Sequence, residues 1–320
     1  MRSLKFGIEI ETVGASRETV ARAIHRAVGG SPGGCNSDCG DWEIVDLRGR
    51  IWKVESDGSL FNSDLARHGT GEIVSPILGY DDLEMLQDVV RSARAVGAQA
   101  DWTCGIHIHV GAHAFDAKSL SNLVRMVYKQ ERLLEHALGV SERRLGRYCK
   151  PIDAAFLARL EANRPKSVED VNTAWYGQRK VAPTRRDESR YHGLNLNSYF
   201  FRKTIEFRYF NGTVDADQVK AYVQFVLALA AQALKAKAAS GSRREFNVAT
   251  AKYDWRVFLN RLGLIGDEFK TARRQLTKHL AGSAAWKGER RDRRSVPSEP
   301  MTPAHPAADS EGVEDERRAA

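Results

Sequence analysis

Three stretches of this 320-residue chain carry titratable groups at every second position. Glu9 and Glu11 alternate with Ile8 and Ile10, and His107 and His109 alternate with Ile106, Ile108 and Val110. Glu206 and Arg208 alternate with Ile205, Phe207 and Tyr209. Period two is the repeat of a β-strand, so each stretch would set two such groups about 7 Å apart on one face. Any half-buried antiparallel strand alternates, but its solvent face usually carries Lys, Thr, Glu and Ser. Glu-x-Glu, His-x-His and Glu-x-Arg on three separate strands point instead to a divalent-cation site that meets an anionic ligand. Carboxylate oxygens are the ligands Mg²⁺ prefers, supplemented by water and phosphate. An imidazole can complete a cation's shell or hydrogen-bond a phosphate. The guanidinium of Arg208 suits a phosphate or a carboxylate. Asp57, after RIWKVES, and Glu72, in GEIVSPIL, offer two further carboxylates.

These groups need elements to hold them. The alternation predicts strands over 4–12, 42–47, 50–57, 71–78, 104–112 and 193–198, and through KTIEFRYF. Helical spacing predicts helices over 16–28, with Ser16 as N-cap, and over 81–96, about 117–138, about 215–238, 254–262 and 267–281. Residues 141–188 are mixed and end in a basic loop, QRKVAPTRRDESR. The irregular order argues against βαβ repeats and for an α+β fold whose sheet is mostly antiparallel.

Composition narrows the classes. Hydrophobic residues make up 42% of the chain, enough for a sizeable core, and no run of 18 apolar residues suggests a membrane span. No basic segment followed by an apolar one precedes the first strand, and four cysteines are few for a disulfide scaffold, so a cytoplasmic protein is expected. A zinc site on Cys35 and Cys39 would need two more ligands. The last 34 residues carry 7 basic and 8 acidic groups with few large apolar ones, which predicts a disordered tail over 287–320 behind one catalytic domain over 1–286. The net charge of +8 therefore lies in the body and favours anionic partners.

FGIEIE, ESDGSL, GEIVSPIL, CGIHIHV, RYHGLNLN and TIEFRYFNGT, in this order over about 4–235, resemble the amidoligase family of carboxylate–amine ligases related to glutamine synthetase and glutamate–cysteine ligase. The resemblance implies a curved, mostly antiparallel sheet whose concave face holds the active site, with helices packed behind. It implies ATP and two or more Mg²⁺ ions, with Mn²⁺ as a substitute. By position, Glu11, Asp57 and Glu72 would hold one ion, and Glu9, His107 and Glu206 the second. His109 and Arg208 would contact the phosphates or the transferred phosphoryl group. The larger relatives carry a glutamate where Asp57 stands; Glu55, two residues earlier on the same face, is the alternative ligand, with Asp57 favoured. The implied reaction passes a phosphoryl group to a substrate carboxylate, giving an acyl phosphate that an amine converts to an amide. The substrates would be a small-molecule or peptide carboxylate and an amine.

Arg190 and Tyr191 would bind the acid or ATP, and Asn195 and Asn197 would share a face if 193–198 is a strand. Cys104 has the parity of Ile106 and is assigned to the apolar face. Three other readings compete: a metal-dependent phosphotransferase of similar fold, a basic nucleic-acid-binding module without catalysis, and a zinc hydrolase built on His-x-His. Nucleic acid is not favoured, because the acidic cluster would repel its backbone.

Overall fold

The computed structural model describes residues 1–35, 40–60 and 63–287. Cys39 and, apart from Lys287, the tail expected to be disordered lie outside these residues.

Among the described residues seven strands form one open sheet in the order β2-β3-β4-β1-β5-β7-β6, and every neighbouring pair is antiparallel. β1 (Phe6–Val13) lies between β4 (Thr70–Val74) and β5 (Gly105–Gly111). The hairpin of β2 (Trp42–Val45) and β3 (Ile51–Glu55) extends the sheet beyond β4. β7 (Thr204–Asn211) and the two-residue β6 (Leu194–Asn195) extend it beyond β5. Alternation decides which face is which. Phe6, Ile8, Ile10, Trp52, Val54, Ile73, Ile106, Ile108 and Val110 are all buried in one hydrophobic core. Each such side chain contributes about 1.5–3 kcal/mol by leaving water, so a one-residue slip of register would be costly.

The helices that cover this face start and stop where their residues dictate. In α1 (Arg17–Val28) the Ser16 hydroxyl accepts from the Thr19 N–H, and α2 (Leu83–Ala95) packs beside it. In α3 (Ala117–Leu138) Asp116 and Ser119 form a reciprocal capping box, and Gly139 ends the helix at φ 62°. The apolar α8 (Ala216–Lys235), capped by Asp215, packs against α2, α3 and β5. α9 (Ala251–Arg261) and α10 (Lys270–Thr277) complete the layer. The stretch left mixed by sequence resolves into three short helices, α4 (Glu142–Arg147), α5 (Ala154–Asn163) and α6 (Val168–Tyr176).

Two expectations are corrected. The strand over 193–198 ends at Asn195, and α7 (Asn197–Arg202) follows. Leu196 and Tyr199 are both buried at helical spacing, and burying that pair outweighs a four-residue alternation. Cys104 lies outside β5 and packs with Val13 and Leu60 in a small cluster apart from the main core. Burial there pushes its thiol up to about 12.

Candidate active site

The polar face of the sheet is built by register. Glu55 on β3 pairs with Glu72 on β4, and Glu72 pairs with Glu11 on β1. Glu9 on β1 pairs with His107 on β5; farther along, His109 pairs with Glu206 on β7, and Glu206 with Asn195 on β6. The side chains that face one way along six neighbouring strands therefore come from positions 9 to 206 of the chain.

One irregularity aims the last pair. Ile106 opposes Phe210 and Ile108 opposes Phe207, so β7 carries one extra residue against β5, a β-bulge. Tyr209 and Phe210 are both fully buried: the Tyr209 hydroxyl donates to Glu131 on α3, and the Phe210 ring stacks on Tyr222 of α8. Arg208 is left on the acid side. Its guanidinium donates to Glu206 Oε1 at 2.5 Å and to the carbonyl of Tyr148 at 3.2 Å.

These groups line a cavity of about 290 Å³. Its walls hold five carboxylates (Glu9, Glu11, Asp57, Glu72 and Glu206) and five guanidiniums (Arg144, Arg185, Arg190, Arg202 and Arg208). Among the described residues three sets of ligand atoms lie within 4.8 Å of one another: Glu11, Asp57 and Glu72; Glu9, Glu72 and His107; and Glu9, His109 and Glu206. The first is the set expected from the resemblance. The second expected set, Glu9, His107 and Glu206, is divided: His107 shares Glu9 with Glu72, whereas Glu206 shares it with His109. His109 thus sits among the carboxylates, with Nε2 3.2 Å from Glu9 and 3.9 Å from Glu206. Asp57 joins Glu11 and Glu72, while Glu55 turns to Lys53 at 3.3 Å.

Electrostatics follow from crowding. Burial, reinforced by the charges of Glu9, Glu11 and Asp57, raises the Glu72 carboxyl well above the usual range. Burial also raises Glu11, although the backbone N–H of Gly105 donates to it at 2.5 Å. Burial works the same way on Glu9, but His109 and His107 outweigh it and hold that carboxyl well below the usual range. On Glu206 burial is likewise outweighed, mainly by Arg208, and the group falls to about 2. A face that raises Glu11 and Glu72 and lowers Glu9 and Glu206 fits a hard cation: the donor set is oxygen-rich, with single imidazoles.

Arg190 and Tyr191 line the cavity, as do Asn195 and Asn197, the last from the start of α7 rather than from a strand. Sequence reasoning missed Arg144, Tyr148, Ser198 and Arg202. Arg144 is buried, donates to the carbonyl of Arg208 at 2.9 Å, and leaves its Nε without a partner. Only a glycine lets it lie there, because a Cβ on Gly105 would come within 2.2 Å of its guanidinium. Arg144 and Arg202 sit in no alternating pattern, and nothing in the sequence set them apart from other basic residues.

Beyond Glu9, His109 and Arg202 a second cavity, of about 350 Å³, continues along the same face. It is mainly apolar, walled by Val74, Pro76 and Ile77 and floored by Gly7 and Gly111. A Cβ on Gly7 would meet nothing closer than the Ser75 hydroxyl at 4.0 Å, so the missing side chain leaves open floor.

A family model described as "Putative amidoligase enzyme" matches residues 2–230. Among curated proteins none matches the chain.

Proposed function

The chain belongs to the amidoligase family, and from that membership and its acid-and-guanidinium cavity we propose that it is an ATP- and Mg²⁺-dependent carboxylate–amine ligase. The family supports a ligase that forms amide bonds; the nucleotide, the metal, the acyl phosphate and the glutamine-synthetase-like reading of the fold are parts of the proposal. The observation that carries it is the clustering of Glu9, Glu11, Asp57, Glu72, His107 and Glu206 around one cavity that also holds Arg208, with His109 3.2 Å from Glu9.

In this reading Glu11, Asp57 and Glu72 hold one cation, and Glu9 with His107, His109, Glu72 and Glu206 supplies the ligands for a second. Bound there, the cations would neutralise phosphate oxygens and the charge that develops as a phosphoryl group moves toward a carboxylate. The apolar slot with its glycine floor accommodates the base of the nucleotide, so that the phosphates point back toward Glu9. Arg208, fixed by Glu206 and Tyr148, directs its remaining donors at the transferring group. Arg144 and Arg190, each with an unpartnered Nε, hold the acid substrate on the opposite side. The γ-phosphoryl group passes to the carboxylate as ADP leaves. The amine then adds to the acyl carbon, and the C–O bond to phosphate breaks. The products are an amide, ADP and phosphate.

The test is an ADP-release screen of carboxylate and amine pairs with Mg²⁺, followed by mass detection of the condensed product. ADP release that needs both partners, with a product lighter than their sum by one water, supports a ligase. A stable phosphorylated product formed without an amine would identify a phosphotransferase instead.

A further inference from the structure

Arg202 closes α7 and reaches into the carboxylate set from that helix rather than from a strand. Its Nη2 lies 3.5 Å from Glu9 Oε1 and 3.0 Å from the ring nitrogens of His109. Those are the two residues that group with Glu206 as a possible cation site. Its side chain is 41% exposed, against 15% for Glu9 and 8% for His109. It lines both cavities, so its head stands between the acid-lined one and the apolar slot.

The Arg202 side chain is partly exposed, and its Nε donates to the Ser198 hydroxyl at 3.3 Å on the same helix, so the guanidinium can turn to another rotamer without disturbing the core. Lys203 takes the left-handed conformation at φ 58°, which ends α7 there and leaves Arg202 on its last turn. The arrangement also answers an electrostatic need: the guanidinium lies 3.5 Å from Glu9, and an uncompensated carboxylate in a crowded, water-poor site is costly.

We propose that Arg202 is a displaceable counter-ion: it occupies the Glu9–His109–Glu206 position before a divalent cation binds and yields it on loading, swinging toward the anionic ligand that spans the two cavities. The inference rests on the ligase reading above and adds an order to it. Guanidinium and metal compete for one place, and the guanidinium then becomes an anion contact. A permanent structural ion pair would behave in the opposite way, because its loss would leave the carboxylates less well arranged for a cation.

The test uses the full chain and Mn²⁺ alone, followed by loss of the free-ion electron paramagnetic resonance signal. Arg202→Ala is expected to tighten Mn²⁺ binding about three- to tenfold, the effect of one partly exposed charge acting on a divalent ion. Arg202→Lys is expected to lie between it and the parent. At saturating Mn²⁺ the alanine variant should bind a non-hydrolysable ATP analogue more weakly than the parent. An unchanged or weaker Mn²⁺ affinity in Arg202→Ala, with unaltered circular dichroism and melting temperature, overturns the displacement. Absence of Mn²⁺ binding in both proteins overturns the ligase reading along with it.

Discussion

Glu11 and Glu72 are direct cross-strand partners on β1 and β4, and Asp57 brings a third carboxylate oxygen within 4.8 Å of theirs. Like charges placed opposite one another weaken a sheet. The arrangement therefore lowers the stability of the metal-free chain. Glu72→Gln removes a carboxylate from this crowd and should stabilise the metal-free protein by about 1 kcal/mol. Mg²⁺ should raise the melting temperature of the parent, and the same change should abolish that rise. Calorimetry of both proteins, with and without Mg²⁺, checks the two effects together.

Asp57 and Glu55 can be separated by Mn²⁺ binding. Asp57 lines the cavity, whereas Glu55 pairs with Lys53, which also pairs with Glu43. Asp57→Asn should weaken Mn²⁺ binding at least tenfold, and Glu55→Gln should change it by less than about twofold, the scale of an exposed ion pair. A titration in which Glu55→Gln has the larger effect would exchange the two assignments.

Gly105→Ala tests how Arg144 is held. The new methyl would come within 2.2 Å of the guanidinium, so the side chain must shift away from the carbonyl of Arg208. Stability should fall by about 1–2 kcal/mol, the cost of losing a buried charge-assisted hydrogen bond. In the ADP-release assay the apparent affinity for the acid substrate should fall more than that for ATP. Equal loss for both would place Arg144 outside the acid-binding side.

A pH effect is expected away from the cavity. Glu135 on α3 lies beside Glu131, and burial followed by that neighbouring charge raises it from 4.5 to about 7. Its folded-state pKa is above the unfolded one, so its contribution is fully present below about pH 4.5 and is lost as pH rises to about 7. Solvent reaches part of this carboxyl, so the effect should be limited to about 1 kcal/mol. Glu135→Gln should be more stable than the parent above pH 7 and should flatten that slope. Urea titrations at several pH values between these limits measure it.

What could be read from the sequence is what period two encodes. Ile8, Ile10, Ile106 and Ile108 had to face one side for a core to form, and that alone put Glu9, Glu11, His107 and His109 on the other. The α+β class and the antiparallel sheet followed from the irregular order of strand and helix segments. The bulge in β7 was not legible, because an extra residue alters a partner strand's count and leaves no mark on local composition. The division of the histidines between Glu72 and Glu206 depends on that cross-strand arrangement. α7 was hidden because LNLN alternates long enough to suggest a strand, while the burial of Leu196 and Tyr199 is a tertiary fact. Cys104 was misassigned because parity holds only inside a strand, and β5 begins one residue later.

The position of β1 between β4 and β5 has a consequence for how the chain matures. The first 75 residues contain Glu9, Glu11, Asp57 and Glu72, whereas Arg144, Arg190, Arg202 and Arg208 emerge much later in synthesis. A nascent chain that has formed only β1 to β4 displays bare acids with none of their guanidiniums. Its polar face therefore becomes workable only when β5 closes on β1 and β7 on β5, which makes completion of the sheet and assembly of the cavity a single event.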